Sequence, residues 1–279
     1  MEEWRGMPVV KAIAEDVTAR MEVLAKKDIV PTLAVVRVGE REDDLSYERG
    51  LTKRFDSVGA KVVVKVLPVD VSEEELARVI TECNEDKDIH GILLFRPLPK
   101  HINEKAVTEL VSARKDVDCM TLTNFAHTFA QDGHGHEPCT AQAVMEMLKF
   151  YGYDLTGKKA VVIGRSMVVG KPLSMMLQKK NATVTMCHTK TVDVAKVCRD
   201  ADIICAAAGV PKMVTSDYMS EGQVIIDVGI NVVDGALCGD VDYEAAKEKA
   251  AYATPVPGGV GTVTTSVLLL HTVKSAEEV

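Results

Sequence analysis

Short apolar runs alternate with amphipathic stretches along most of this chain. Leu33-Ala34-Val35-Val36-Arg37-Val38, closed by Gly39, and Lys61-Val62-Val63-Val64-Lys65-Val66 are β-branched runs of strand length. Gly91-Ile92-Leu93-Leu94-Phe95 is a third, stopped by Pro97-Leu98-Pro99. Residues 9–27 and 45–58 carry helical spacing. So does the stretch opening at Ser72-Glu73-Glu74-Glu75, where Ser72 and Glu75 form a capping box. A second series follows the Gly- and His-containing stretch 131–138. It predicts a helix over 140–151 and strands over 159–163, 182–186, 201–205 and 223–227. Such alternation predicts α/β architecture, with mostly parallel sheets covered by helices and a domain boundary near residue 137.

At roughly 100–200 residues per domain, 279 residues make one large domain or two ordinary ones. The net charge of −8 disfavours a general nucleic-acid or anionic-membrane binder. No stretch reaches the ~18 apolar residues of a membrane span. Met1-Glu2-Glu3-Trp4-Arg5-Gly6 lacks an apolar signal region, so a cytoplasmic protein is expected. The cysteine count is odd, at seven, and no two form CxxC, the pattern of reduced thiols rather than of disulfides or a zinc site. His134 and His136 form an HxH pair with no acidic or Cys partner at ligand spacing, so no metal is expected there.

The strand ending at Ile163 runs into Gly164-Arg165-Ser166-Met167-Val168-Val169-Gly170-Lys171-Pro172 and then a helical stretch. Gly164 permits a tight turn, Gly170 permits close packing at the helix start, and the helix N-terminus offers N–H groups to a pyrophosphate. The spacing is GxSxxxG, a partial match to the dinucleotide fingerprint, and an ordinary glycine-containing βα turn is the alternative. The next strand ends Met186-Cys187-His188-Thr189-Lys190-Thr191, without the acid that binds the ribose of NAD. Arg165, Thr189 and Lys190 could instead hold a 2′-phosphate, which favours NADP as cofactor.

The chain resembles the methylenetetrahydrofolate dehydrogenase/cyclohydrolase (FolD-type) family over nearly its whole length. The motifs that carry the resemblance are Lys115-Asp116-Val117-Asp118, Pro138-Cys139-Thr140, Gly164-Arg165-Ser166 with Val169-Gly170 and Pro172, and Cys187-His188 with Lys190-Thr191. Asp227-Val228-Gly229-Ile230-Asn231, Gly239-Asp240-Val241 and Pro255-Val256-Pro257-Gly258-Gly259-Val260-Gly261 complete the set. The resemblance implies two α/β domains around a cleft. Residues 1–137 with a C-terminal helix over 263–279 would form the folate domain, and residues 138–262 a Rossmann-type NADP domain that pairs in a homodimer. It implies Tyr47 and Asp118 as catalytic and substrate-binding residues, with Pro257, Gly258 and Gly259 also at the substrate. It places Gly164, Arg165, Ser166, Gly170, Thr189 and Ile230 at the cofactor.

The folate side departs from the family pattern. Where the family reads ASxxYVxxK, this chain has Asp43-Asp44-Leu45-Ser46-Tyr47-Glu48-Arg49-Gly50-Leu51. Tyr47 matches, but Leu51 stands at the catalytic lysine and Asp44 at the serine. Lys53, the nearest lysine, lies about 200° around the helix from Leu51 and should face away. Asp43 and Asp44 read as a solvated loop pair. Phe95 and Arg96 stand where the family's GILVQLPLP has glutamine and leucine. Cys119 replaces the glycine after Asp118, and Thr262-Val263 replaces Pro-Met.

These residues predict an NADP-dependent 5,10-methylenetetrahydrofolate dehydrogenase acting on a tetrahydrofolate one-carbon substrate, with weak or absent cyclohydrolase activity. Hydride transfer needs two positioned rings, whereas hydrolysis needs proton transfers that leucine and phenylalanine cannot perform. One alternative is a redox enzyme for a modified folate or other pterin carrier. Another, from a different class, is a non-catalytic folate- or dinucleotide-binding regulatory protein.

Overall fold

The structure, a computed structural model, describes all 279 residues. Strand β1 (Glu2–Glu3) and helix α1 (Gly6–Ala25) lead into β2 (Thr32–Val38), α2 (Glu42–Asp56), β3 (Lys61–Leu67), α3 (Glu73–Glu85) and β4 (Gly91–Leu94). Helices α4 (Glu104–Thr108), α5 (Leu122–Ala130) and α6 (Cys139–Phe150) follow. Then come β5 (Lys159–Ile163), α7 (Gly170–Lys179), β6 (Thr183–Cys187), α8 (Val194–Arg199), β7 (Ile203–Ala206) and β8 (Val224–Asp227). A hairpin of β9 (Asn231–Val233) and β10 (Ala236–Cys238) precedes α9 (Tyr243–Lys249), β11 (Tyr252–Ala253) and α10 (Val260–Glu277). No helix is long and apolar enough to cross a membrane.

The chain divides into two compact units. One comprises Ala12–Cys139 with Thr265–Val279, the other Met1–Lys11 with Thr140–Thr264, so the division falls inside both α1 and α10. The first unit holds a three-stranded parallel sheet in the order β3-β2-β4. Its central strand β2 is buried at every position, as a strand covered on both faces must be. One face packs Val36, Ile92 and Leu94 with Leu76, Val79 and Ile80 of α3. The Ser72 hydroxyl caps that helix, accepting from the Glu75 N–H at 3.1 Å, which is half of the predicted capping box; the Glu75 carboxylate accepts from Arg78 instead.

The second unit holds a six-stranded sheet in the order β1-β11-β8-β7-β5-β6, every pairing parallel. The chain steps from β5 outward to β6 and then back to β7 on its other side. Strand β5 is therefore the switch point, where open α/β sheets bind ligands beyond the strand carboxyl ends.

The N-terminal residues correct the expected partition. Met1–Lys11 lie with the six-stranded unit rather than with residues 12–139. Glu2 and Glu3 add an edge strand to Tyr252 and Ala253, and the buried Trp4 ring stacks on Tyr151 at 4.8 Å and on Tyr252 at 4.7 Å. An aromatic ring of that size dominates the local packing and draws the terminus with it.

Candidate active site

In the three-stranded unit, a cavity of about 240 Å3 opens at the carboxyl end of β4. Asp44, Tyr47, Leu93, Leu94, Phe95, Arg96 and Asp118 line it. Helix α2 supplies Asp44 and Tyr47. It is favoured by the acids Glu42, Asp43 and Asp44 in its first turn and by Lys53 and Arg54 in its last, each complementing the helix dipole. The Tyr47 ring meets the Phe95 ring edge-on, with centroids 5.8 Å apart. Leu51, one turn further, has no exposed surface and packs inward with Phe55, while Lys53 is exposed.

Asp44 is not a solvated loop residue. It sits in the first turn of α2, buried, and Arg41 donates to both its oxygens at 2.8 and 2.7 Å. The same Arg41 donates to the Arg96 carbonyl at 3.0 Å, tying the start of α2 to the segment after β4. Nothing in the sequence pattern singled out Arg41; an Arg three positions before a future first-turn acid is too common a spacing to signal anything.

Asp118 lies half-buried with the Arg96 guanidinium 4.0 Å away. Burial pushes its carboxyl up to about 6, and Arg96 works against that shift. Its loop is held from below. Asp116, fully buried, accepts from the N–H groups of Met120 and Thr121, the Thr121 hydroxyl and the Asn124 amide. His271 Nδ1 donates to the Val117 carbonyl at 2.8 Å, and the Cys139 thiol reaches the same oxygen at 3.2 Å. Burial holds His271 neutral and lowers its stacked neighbour His136 to about 4. His134 instead faces His127, which bonds Asp132 at 2.8 Å, so the HxH pair points to two separate environments. Cys119 adopts φ +55°, a left-handed conformation that a glycine at this position adopts freely.

In the six-stranded unit, Gly164 follows β5 directly, and its N–H donates to the Cys187 carbonyl at the end of β6 at 2.9 Å. Gly164 has φ +130°, and a β-carbon there would overlap the Ala207 carbonyl. A β-carbon on Gly170 would overlap Gly164 in turn. Both glycines are thus required for a shallow cradle at the start of α7. The Ser166 hydroxyl accepts from the Val169 N–H at 3.1 Å, shaping the turn from within. Arg165 and Ser166 on this turn, and Thr189 and Lys190 beyond β6, are exposed with no acid among them. The cradle and this basic, acid-free rim fit a dinucleotide carrying a 2′-phosphate.

Ile230, Pro257, Gly258 and Gly259 come together around a second cavity of about 200 Å3, with Asp227, Val228, Gly229, Pro255 and Gly261. A pair of buried carboxylates, absent from the expected site, supports this loop. Asp227 accepts from the N–H groups of Gly229, Asp240 and Val241. Asp240, fully buried, accepts from the N–H groups of Ala208, Gly209 and Val210 and from the Asn231 amide. Burial and the neighbouring Asp240 charge push Asp227 up to about 7 despite its three donors. Together they tie the segment after β7 to the segment after β8. The sequence did flag these acids as motif members, but gave no reason to pair residues 13 positions apart.

A parallel six-stranded sheet with a two-glycine cradle at its switch strand, joined in one chain to a second α/β unit with its own carboxylate-bearing cavity, defines a two-domain α/β protein of Rossmann type. Residues 4–118 match the catalytic domain of the tetrahydrofolate dehydrogenase/cyclohydrolase family and residues 138–279 its NAD(P)-binding domain, and the chain belongs to that family. It is 50% identical over 279 residues to the Bifunctional protein FolD of Carboxydothermus hydrogenoformans, covering 99% of this chain and 97% of that one. The crystal structure of the bifunctional FolD methylenetetrahydrofolate dehydrogenase/cyclohydrolase of Campylobacter jejuni superposes with a TM-score of 0.97 at 39% identity, covering 100% and 99% of the two chains. The Trypanosoma brucei enzyme, solved with NADP and an inhibitor, gives 0.93 at 35%, covering 99% and 97%.

Proposed function

We propose that this protein is an NADP-dependent 5,10-methylenetetrahydrofolate dehydrogenase in which hydrolysis of the methenyl product is weak. The relatives named above are called bifunctional, and the reading for this chain departs from them on one observation. Leu51 is sealed in the core, and Phe95 occupies the cavity wall against Tyr47, at the two positions where the family motif has lysine and glutamine.

Bound NADP supplies the hydride acceptor. Gly164, Ser166 and Gly170 would shape the pyrophosphate cradle, Arg165 and Thr189 would hold the 2′-phosphate and Ile230 would lie at the cofactor, with Pro257, Gly258 and Gly259 at the substrate. On the folate side, Tyr47 stacks on the aminobenzoyl ring and Asp118 accepts from the pterin. The hydride leaves the one-carbon bridge, and the lone pair of the adjacent folate nitrogen stabilises the cation that forms, so positioning alone supplies much of the rate. Hydrolysis of that cation needs a water relieved of a proton, and neither Leu51 nor Phe95 can accept one. A paired assay tests this reading: NADPH and methenyl-folate are followed separately in one sample. Formation of NADPH with methenyl-folate in matching amounts is the expected result, and formyl-folate appearing as fast as NADPH refutes it.

A further inference from the structure

We propose that Arg96 is a specificity-determining residue that reads the ring carbonyl of the pterin beside Asp118. The inference rests on the folate reading above and deepens it.

At 4.0 Å, Arg96 and Asp118 form an ion pair but no hydrogen bond, so the guanidinium keeps its fork of N–H donors for a ligand. Both side chains line the same cavity, and both are about one-quarter exposed, open enough to be reached. Arg96 is also fixed in place. Its carbonyl accepts from Arg41, which is locked on the buried Asp44 by two further bonds, and its chain neighbour Phe95 is buried against Tyr47. Asp44, Phe95 and Arg96 are the positions at which this wall changes chemical character from the family motif, and here they form one connected set.

The chemistry of the pair is that of a lactam reader. The pterin of a tetrahydrofolate presents an N–H donor and a C=O acceptor on adjacent atoms of one ring edge. A carboxylate accepts from the first, and a guanidinium next to it donates to the second. A leucine at position 96 could fill space there but could not sense the carbonyl. The site therefore discriminates a 4-oxo ring from a 4-amino ring with two side chains rather than one.

The test uses the full-length protein and calorimetric binding of folic acid and aminopterin, its 4-amino counterpart. Wild type, R96L and R96K are compared after their melting curves are shown to be cooperative. Loss of a charge-assisted hydrogen bond weakens binding roughly ten- to hundredfold. R96L should therefore lower the preference for the oxo ring by about tenfold or more and raise KM for methylenetetrahydrofolate much more than it lowers kcat. R96K keeps the charge without the planar fork and should fall between. If R96L does not fold, R96K alone carries the test, and a preference equal to wild type overturns the proposal. An unchanged preference in a folded R96L overturns it as well. Failure of the wild-type protein to oxidise methylenetetrahydrofolate would instead refute the underlying functional reading.

Discussion

Tyr47 and Leu51 sit one turn apart on α2, yet Tyr47 is 38% exposed and lines the cavity while Leu51 is fully buried beside Phe55. The α2 face that carries the family lysine is therefore an apolar anchor here. This changes what restoring the lysine would do. Leu51→Lys alone places an ammonium in a packed core, and an unpaired buried charge costs several kcal/mol.

Leu51→Lys should lower the melting temperature and gain little hydrolysis. Phe95→Gln alone should keep dehydrogenase turnover. The double change should recover part of the stability lost by the lysine and raise methenyl-folate hydrolysis above the wild-type level. General acid–base assistance is worth roughly 10²–10⁴-fold, so even partial recovery is measurable by the loss of methenyl absorbance. A double variant that hydrolyses no faster than wild type would show that these two positions do not limit the step.

Under the proposed cofactor site, Arg165 should set the choice between NADP and NAD. It is exposed on the turn after Gly164 with no acid on the facing Thr189–Lys190 segment. Arg165→Ala should weaken NADP by a charge-assisted contact, ~1.5–3 kcal/mol, and NAD by much less, because NAD has no 2′-phosphate. Titration of both cofactors against the two proteins measures this, and equal losses count against the assignment.

The proposed folate site should titrate. Burial raises Asp118 to about 6, with the Arg96 charge and a Cys139 hydrogen bond working against it and the Asp116 charge with it, while His136 and His271 stay neutral because burial lowers both. An ionised carboxylate accepts from a pterin N–H much more strongly than a neutral carboxyl does. As pH falls through about 6, Asp118 takes up a proton, and kcat/KM for the folate should fall with it. Asp118→Asn should remove that limb of the profile along with most of the activity. A flat profile between pH 5 and 7, taken as about one unit to either side of the raised value, would assign Asp118 no role in substrate capture.

By its family resemblance the protein should form a two-fold homodimer through its NAD(P)-binding domain. Sedimentation at micromolar concentration should give about twice the 30.2 kDa chain mass. A single monomeric species would exclude it.

The strands, the helices and the cofactor cradle were legible in the sequence because each is a local pattern. β-branched runs read as β2, β3 and β5; Ser72 with Glu75 marked a helix start that the Ser72 cap then forms; Gly164 and Gly170 flagged a turn that only glycine can make. The two substitutions that set the functional reading, Leu51 and Phe95, were equally visible as departures from a motif. What tertiary structure alone decided is which distant groups meet. Trp4 carries the N-terminus to the six-stranded unit because Tyr151 and Tyr252 offer it rings to stack on. Asp44 becomes a buried ion-pair member because Arg41 also reaches back to the Arg96 carbonyl, 55 residues away. Periodicity reports the face on which a side chain sits, but a hydrogen bond or ion pair depends on what the fold brings opposite that face.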